Sequence, residues 1–469
     1  MRAFRLTDAA FAALAAGDPS AATLDELRRA QLSRHLLMLR TLGAPPAWHT
    51  GPDVRERLAD PMTMLRTAAT RRGEALAAAP VVAPSVFTFT HAGLTLRVCL
   101  EDTDPIRARL GLTPTGPLDA ADRESWRRHL DEAWRILATR HPAAATLMAG
   151  ILTVIVPVEP DPGAGGISAT SADAFGAVAI SPPTDPVALA VGLLHECRHS
   201  VLNAVRTLFD LVRPDAPRGY SPWRDDPRPP FGILHGAYAY QAVTRFWRDE
   251  VRQGHGGALA AFEFARWRAA VAGAADDLLG GGALTAAGHR FTSALRDEAV
   301  AQLDEPVDPR VARLAAGANL DHRVRWRLRN LRVDPADAER VADAWRRGAP
   351  PPAVPAPALA PPGRRALENN DRLNLVHSWL RNGLGSERKA TIPPGSGVRP
   401  GDIAYLGEDP GAGAHAYLQD LLESPNLAAW GGLALTVPSP ALRERPELVL
   451  AVSRLVPADP REIAAYLVG

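Results

Sequence analysis

Apolar residues follow a helical period over most of the chain and a two-residue period in one short stretch. Over residues 1–80, leucines recur three or four positions apart between charged residues, which is typical of amphipathic helices. Residues 85–90 and 94–100 instead alternate apolar and polar side chains on either side of a turn that ends in Gly93. This alternation predicts a β-hairpin.

Further strands and two long helices are predicted after the hairpin. The β-branched segment 150–157 and the segment 167–180 predict strands. A long apolar segment without proline runs from Val187 to Leu211 and predicts a mostly buried helix. Residues 212–230, rich in proline and aspartate, are expected to form a loop. A second helix is expected from Phe231 to about Arg252.

The remaining segments predict helices, at 120–140, 257–347 and 364–469. Seven prolines between residues 349 and 362 predict a semi-rigid extended linker. The fold class predicted is therefore α+β and mostly helical, with a small sheet packed on the long central helix. The predicted domains are an N-terminal helical region at 1–80, a core at 81–348, a proline-rich linker at 349–363 and a C-terminal helical region at 364–469.

Composition limits the function classes. The chain has 469 residues, of which 46% are hydrophobic and 22% are charged, as in ordinary globular proteins. Its 53 Lys and Arg against 52 Asp and Glu give a net charge of +1, so neither nucleic acid nor a membrane is an expected partner. Its two cysteines, Cys99 and Cys197, indicate a reducing compartment, and we expect a cytoplasmic protein. The short apolar run after Thr7-Asp8 is interpreted as a capped first helix rather than a signal peptide.

The motif that indicates chemistry is His195-Glu-Cys-Arg-His199, an HExxH in the long apolar helix. Residues four apart lie about 40° from each other around a helix, so the two imidazoles can bind one metal ion. Glu196 would then face the open coordination side. Because Leu193 and Leu194 precede the motif, its polar groups are expected to be buried and to need partners. Residues 81–348 are therefore predicted to be a metal-binding catalytic core.

A third metal ligand is needed, and the sequence offers several. His235, flanked by small residues near the start of the next helix, is the preferred candidate. Asp225 and Asp226 are alternatives at a more protease-like distance from His199. Asp210 and Glu250 are further candidates.

The motif alone does not choose the reaction. The small sheet is predicted to pack on the HExxH helix in a zincin-like arrangement. In a zinc hydrolase, Glu196 would act as the general base for water. With three protein ligands on one face, iron(II) could instead bind a 2-oxo acid and dioxygen. An edge strand beside the metal could accept an extended peptide by strand addition in either case.

A family resemblance favours the second reaction. The segments LLHECRH, YSPWRDDPRP and GILHGAYAY resemble the HExxH-containing peptide-modifying proteins of actinobacterial ribosomal-peptide clusters, also described as 2-oxoglutarate-dependent HExxH-type peptide β-hydroxylases. The opening FRLTDAAFAALAAGD and the late segment AYLGEDPGAGAHAYLQDLLESPNLAAWGGLAL are also similar to that family. The resemblance thus covers most of the chain.

The resemblance implies iron(II) bound by His195, His199 and, by analogy, His235. It implies 2-oxoglutarate and dioxygen as co-substrates, and hydroxylation of a side-chain β-carbon in a ribosomally synthesised precursor peptide. Glu196 would then orient a ligand or a water molecule instead of acting as a hydrolytic base.

The far carboxylate of 2-oxoglutarate calls for a bidentate arginine. Arg224 and Arg228 are the nearest candidates by motif, and Arg198 and Arg245 are rivals on the two helices. Lys389 is the only lysine of the chain, and nearly all of its basic residues are therefore arginines. Because arginine is so common here, an arginine near the motif is weaker evidence for a binding role than it would be in another protein.

Two other functions remain open at this stage. One is a zinc peptidase, for example one that removes a leader peptide. The other is a non-catalytic peptide-binding protein that retains a structural metal site.

Overall fold

The computed structural model describes residues 4–43, 54–77, 84–161, 166–360, 370–382, 396–424 and 426–468. Most of these residues are helical, and the strands form one small mixed sheet and two short two-stranded pairs. The predicted α+β class is confirmed. No helix in these ranges is both long enough and apolar enough to cross a bilayer.

The helices of the N-terminal half are α1 Asp8–Ala16, α2 Ala21–Thr41, α3 Val54–Ala59, α4 Pro61–Arg71, α5 Ala120–Arg140, α6 Pro142–Ile151, α7 Pro186–Arg206 and α8 Pro230–Arg252. Those that follow are α9 Gly257–Gly280, α10 Ala286–Val300, α11 Pro309–Asn330, α12 Pro335–Arg346, α13 Asp371–Arg381, α14 Pro400–Leu406, α15 Pro410–Glu423, α16 Leu427–Thr436, α17 Pro440–Glu444, α18 Pro446–Ser453 and α19 Pro460–Tyr466. The strands are β1 Ser85–His91, β2 Leu94–Leu100, β3 Val154–Pro157, β4 Ser168–Ala169, β5 Ala177–Ile180, β6 Gly219–Ser221, β7 Arg224–Arg228, β8 Leu331–Arg332 and β9 Ala358–Leu359.

Side-chain caps fix the starts of the helices that matter for the site. The Thr7 hydroxyl accepts the backbone N–H of Ala10 at the start of α1, as the sequence predicts. The Asp185 carboxylate accepts the N–H of Ala188 at the start of α7, and Pro186 occupies the first helical position, where no N–H is needed. The long helix therefore begins where the apolar segment begins.

The main sheet has the strand order β1-β2-β3-β5-β4. Strands β1 and β2 form the predicted antiparallel hairpin, with Ser85 opposite Leu100 and its turn at Gly93, where φ is +76°. Strands β2, β3 and β5 run parallel, and every residue of β3 and β5 is buried. Strand β4 pairs antiparallel with β5 and forms one edge of the sheet.

Helix α7 approaches the sheet closely at one glycine. A Cβ on Gly192 would lie 3.1 Å from Cδ1 of Ile180, the last residue of β5. Glycine at this position therefore lets the helix backbone approach the strand that precedes it in the chain.

Two predicted boundaries and one predicted loop were wrong. Strand β3 begins at Val154, because α6 continues from the helix-starting Pro142 through Ile151. Helix α7 ends at Arg206, and the apolar residues after it pack outside the helix: the Phe209 ring meets that of Phe11 at a centroid distance of 5.0 Å. The segment expected to be a loop contains the antiparallel pair β6 and β7.

The chain packs as two compact units. The first comprises residues 1–217, 230–253 and 271–304, and it contains the five-stranded sheet with α7 and α8. The second comprises residues 218–229, 254–270 and 305–469, and its cores are formed by helices from α11 onwards and part of α9. Each unit combines segments that are distant in the sequence. The division into four consecutive regions therefore stays a prediction. Residues 361–363 of the predicted linker lie outside the described residues.

Candidate metal centre

The HExxH residues converge at one point on α7. One ligand atom from each of His195, Glu196 and His199 lies within 4.8 Å of the other two. Helical geometry causes this convergence, because residues one turn apart share a face and Glu196 adjoins the first histidine. The two imidazole rings are nearly perpendicular, with centroids 4.5 Å apart.

Burial keeps both histidines in the form that binds metals. It lowers the pKa of His195 to about 4. Burial, with the neighbouring imidazoles of His235 and His195, also holds the pKa of His199 well below its usual range. Both rings are therefore neutral near pH 7 and keep a nitrogen lone pair for a cation.

Glu196 is almost fully buried, and an edge-strand residue binds it. Ser168 in β4 donates a hydrogen bond from Oγ to Oε1 of Glu196, at 2.7 Å. Burial raises the pKa of Glu196 to about 7, against the lowering effect of that hydrogen bond. The carboxyl group can therefore exist in either protonation state near neutral pH.

The two histidines of the motif are the donors for a cation. In the part of the chain that the structure describes, Nδ1 of His199 and Oε2 of Glu196 make no hydrogen bond of good geometry, although the backbone of His235 and the side chain of Thr170 act on the pKa of these two groups as hydrogen-bond partners. Two neutral imidazoles suit zinc or iron, and the adjacent Glu196 carboxyl could orient or deprotonate a water molecule there. The residues thus fit the predicted metal.

His235 lies directly beside this group. Its ring stacks on that of His199, with centroids 3.8 Å apart and planes 6° from parallel. A metal ion lies close to the plane of an imidazole that binds it, so two stacked rings cannot both point lone pairs at one ion. His235 would have to rotate to become the third ligand, and that role stays a prediction.

Arg224 and Arg228, the predicted 2-oxoglutarate-binding residues, lie on β7 in the second unit. Both bind one carboxylate: Arg224 Nε lies 3.0 Å from Asp226 Oδ1, and Arg228 Nη1 lies 3.2 Å from Asp226 Oδ2. Burial of Asp226 acts to raise its pKa, but the two arginines outweigh it and hold the pKa below the usual value. The guanidinium groups thus already have an anionic partner.

The other carboxylates considered as third ligands have partners of their own. Asp225, also in the second unit, forms an ion pair with Arg329 at 3.3 Å. Glu250 is buried in the first unit, where it forms an ion pair with Arg140 at 3.1 Å and a hydrogen bond with Nε2 of His141 at 3.0 Å. Asp210 is exposed.

Arg198 and Arg245, the rival arginines, meet at one backbone carbonyl in the first unit. Both donate to the oxygen of Gly17, at 2.5 Å and 3.0 Å. Both also line a cavity that the sequence did not indicate. The contact of Ser168 with Glu196 was missed as well, because only the pairing of β4 with β5 brings residue 168 to the helix.

Comparisons with known proteins add no relative: no family model matches the chain, and no curated protein matches it. The fold places two neutral imidazoles and a titratable carboxylate beside a sheet edge.

Proposed function

We propose that this protein is a metal-dependent enzyme that modifies a peptide, with His195 and His199 as metal ligands. The observation that carries the proposal is the convergence of both imidazoles with Glu196 within 4.8 Å on one face of α7. The neutral state of both imidazoles supports it, since each keeps a nitrogen lone pair for a cation.

The reaction we propose is iron(II)- and 2-oxoglutarate-dependent hydroxylation of a side-chain β-carbon in a ribosomally synthesised precursor peptide. The proximity of His235 supports it, because a rotated His235 would complete a neutral three-histidine set that leaves positions for a 2-oxo acid and dioxygen. The motif resemblance through WRDDPRP and GILHG supports it further. Iron(II) with 2-oxoglutarate and dioxygen would supply the oxidising chemistry.

The protein's own residues would bind and position the reactants. Ser168 holds the Glu196 carboxyl in a fixed orientation beside the two imidazoles. The assignment of Arg224 and Arg228 to the far carboxylate of 2-oxoglutarate stays a prediction from the motif, and in the second unit both guanidinium groups bind Asp226.

We also propose a zincin-like arrangement of the sheet and α7, with the peptide bound at the sheet edge. Strand β4 is antiparallel and at the edge, and its Ser168 contacts the HExxH helix. An extended peptide that pairs with β4 would run past the metal ligands, and backbone hydrogen bonds would set its register. We place this chemistry in the cytoplasm.

A zinc peptidase is the second candidate, and one observation favours it. Burial raises the pKa of Glu196 to about 7, which suits a general base at neutral pH. In that reaction Glu196 would take the proton of the attacking water.

Mass spectrometry of peptide incubations separates the candidates. The full chain is incubated with the precursor peptide encoded next to it, iron(II), ascorbate and 2-oxoglutarate, and each component is omitted in turn. We expect a gain of one oxygen on the peptide, and succinate release that requires iron(II), 2-oxoglutarate and peptide together. Cleavage with zinc and without 2-oxoglutarate would establish the peptidase. An unchanged peptide in both reactions would favour the non-catalytic binding protein.

A further inference from the structure

The first unit contains a cavity of about 460 Å³ that borders α7 on a different face from the metal ligands. Leu194 and Arg198 line it, whereas His195 and His199 form the metal site. Leu194 and Arg198 each precede one of these histidines by one position. Neighbouring residues of a helix point about 100° apart, so the cavity and the metal ligands lie on different faces of α7. A molecule in the cavity would therefore contact α7 without facing the metal.

Arg198 is the unusual group in this cavity. The residue is only 5% exposed, yet it forms no ion pair with a carboxylate in the described ranges. Its donors instead reach two neutral oxygens, the Gly17 carbonyl and the Tyr238 hydroxyl at 3.3 Å. A buried cation without a counter-ion is unfavourable, so the site calls for an anion.

Another buried arginine of the chain does have counter-ions. Arg372 in the second unit is also 5% exposed, and it forms ion pairs with two buried carboxylates, Asp321 and Asp402. The fold can therefore supply counter-ions to a buried arginine, and it does not do so for Arg198.

The other charged groups around the cavity are two arginines and two aspartates. Arg245 and Arg248 line it, as do the acids Asp18 and Asp249. Asp18 is exposed and Asp249 half-buried, so both acids are screened by water more than Arg198 is.

A buried histidine adds a polar atom to the cavity wall. Nδ1 of His141 makes no hydrogen bond to any described residue, although the carboxylate of Asp249 lies 3.5 Å away. Its Nε2 is already engaged with Glu250, at 3.0 Å. Nδ1 itself is buried, so His141 adds polarity to the wall without an open hydrogen-bonding position.

The rest of the wall is apolar and favours a ligand with a hydrocarbon part. Its apolar side chains include those of Leu24, Leu147, Leu194 and Phe246. The volume is in the range of small-molecule sites, which are mostly apolar with a few placed polar groups. An inorganic anion would leave this apolar surface without contacts.

We propose that this cavity is a binding site for a small organic carboxylate with a short apolar chain. The carboxylate accepts hydrogen bonds from Arg198, and the chain packs against the leucines and Phe246. The site is independent of the metal and does not rest on the proposed reaction.

Calorimetric titration of the full chain with hexanoate tests the site, with hexan-1-ol and inorganic phosphate as comparison probes. We expect hexanoate to bind at least about 10-fold more tightly than either, because only hexanoate offers both a charge and an apolar chain. Hexanoate binding should be unchanged in His199→Ala, which removes a metal ligand. Equal binding of hexan-1-ol would refute the role of the charge, and tighter binding of phosphate would refute the apolar part.

Two variants locate the binding. Arg198→Lys keeps the charge but removes the bidentate geometry, and Ala144→Phe fills the cavity from a half-buried position. Each should weaken hexanoate binding at least about 10-fold, while the exposed Arg135→Gln on α5 should leave it unchanged. If Arg198→Lys fails to fold by circular dichroism, Ala144→Phe decides alone. Undiminished binding in folded Ala144→Phe would place the carboxylate elsewhere and overturn the proposal.

Discussion

Ser168 and Glu196 are joined by a 2.7 Å hydrogen bond that connects the edge of the sheet to the HExxH helix. The donor lies on β4, and the acceptor lies between the two histidines of the candidate metal centre. Because Glu196 is buried, this bond offsets part of the cost of keeping a carboxyl group away from water. The edge strand therefore supports the candidate metal centre as well as the sheet.

Removal of the Ser168 hydroxyl should destabilise the protein. In Ser168→Ala the buried Glu196 carboxyl loses a donor, so we expect the free energy of unfolding to fall by about 1–3 kcal/mol. Urea denaturation at pH 7 measures the change, and Ser168→Thr, which keeps a hydroxyl, is the matched control. An equal loss in Ser168→Thr would indicate a packing effect and not the hydrogen bond.

His235 should strengthen metal binding if its ring rotates toward the cation. We expect His195→Ala and His199→Ala to abolish stoichiometric binding of zinc or iron(II), and His235→Ala to weaken it by about 10-fold or more. Competition titration with a chelating dye gives the affinities. His289→Ala, an exposed histidine of α10, should bind as the unaltered protein does. Unchanged affinity in His235→Ala would show that His235 only stacks on His199.

Glu196→Gln should distinguish the two candidate reactions. The substitution preserves shape but removes the group that could accept a proton. Hydroxylation should remain measurable, since no water need be deprotonated, whereas a zinc peptidase should lose nearly all turnover. The readouts are the mass of the peptide product and the metal content, which confirms that the centre is still loaded. Loss of hydroxylation with full metal loading would contradict the positioning role given to Glu196.

Features that depend on neighbouring residues in the chain were visible in the sequence. The alternation around Gly93 predicted the hairpin, and the spacing of His195 and His199 predicted their convergence, because local geometry alone determines both. The end of α7 was not predictable, since Phe209 is apolar yet packs against Phe11 outside the helix.

Features that depend on tertiary packing were not visible. Ser168 reaches Glu196 only because β4 folds back antiparallel on β5, and the sequence has no signal for a two-residue strand. The cavity at Arg198 forms where several helices meet, so its charge and volume become apparent only in the folded protein. The sequence indicated Arg198 as one arginine among many.

A buried histidine away from the metal site should make stability depend on pH. His35 on α2 is fully buried, with Nδ1 2.9 Å from the Leu58 carbonyl oxygen and Nε2 2.9 Å from the Thr67 hydroxyl. Burial lowers the pKa of His35, so the unfolded chain takes up a proton at a higher pH than the folded protein does. Stability is therefore full above about pH 6.5 and falls as the pH drops from there toward the lowered pKa.

Replacement of His35 should reduce that dependence. Each such histidine contributes a slope of at most about 1.4 kcal/mol per pH unit. We expect His35→Gln to flatten the decline in unfolding free energy between about pH 6.5 and pH 5, measured by urea denaturation in the presence of a chelator. His289→Gln, at an exposed site, is the control. An unchanged slope in His35→Gln would show that His35 takes up its proton without unfolding.

Two glycines of the first unit should respond to alanine in opposite ways. A Cβ on Gly288, in the first turn of α10, would overlap the backbone carbonyl oxygen of Leu211, which cannot move away as a side chain would. Gly273 is exposed within α9, and a Cβ there would have no atom within 4 Å apart from its own helix backbone. The same substitution therefore creates a clash at one site and meets open space at the other.

We expect Gly288→Ala to lower the free energy of unfolding by about 3 kcal/mol or more, because the loop at Leu211 must separate from α10. Gly273→Ala should raise it by about 0.5–1 kcal/mol, since alanine restricts the unfolded chain and favours the helix. Urea denaturation of both variants measures the difference.

The start of α10 should also be affected. The Thr285 hydroxyl caps this helix by accepting the backbone N–H of Gly288 at 3.0 Å, so a shift of Gly288 should fray the first turn. A neutral effect of Gly288→Ala would show that α10 and the Leu211 segment can separate at little cost, and that their contact does not stabilise the first unit.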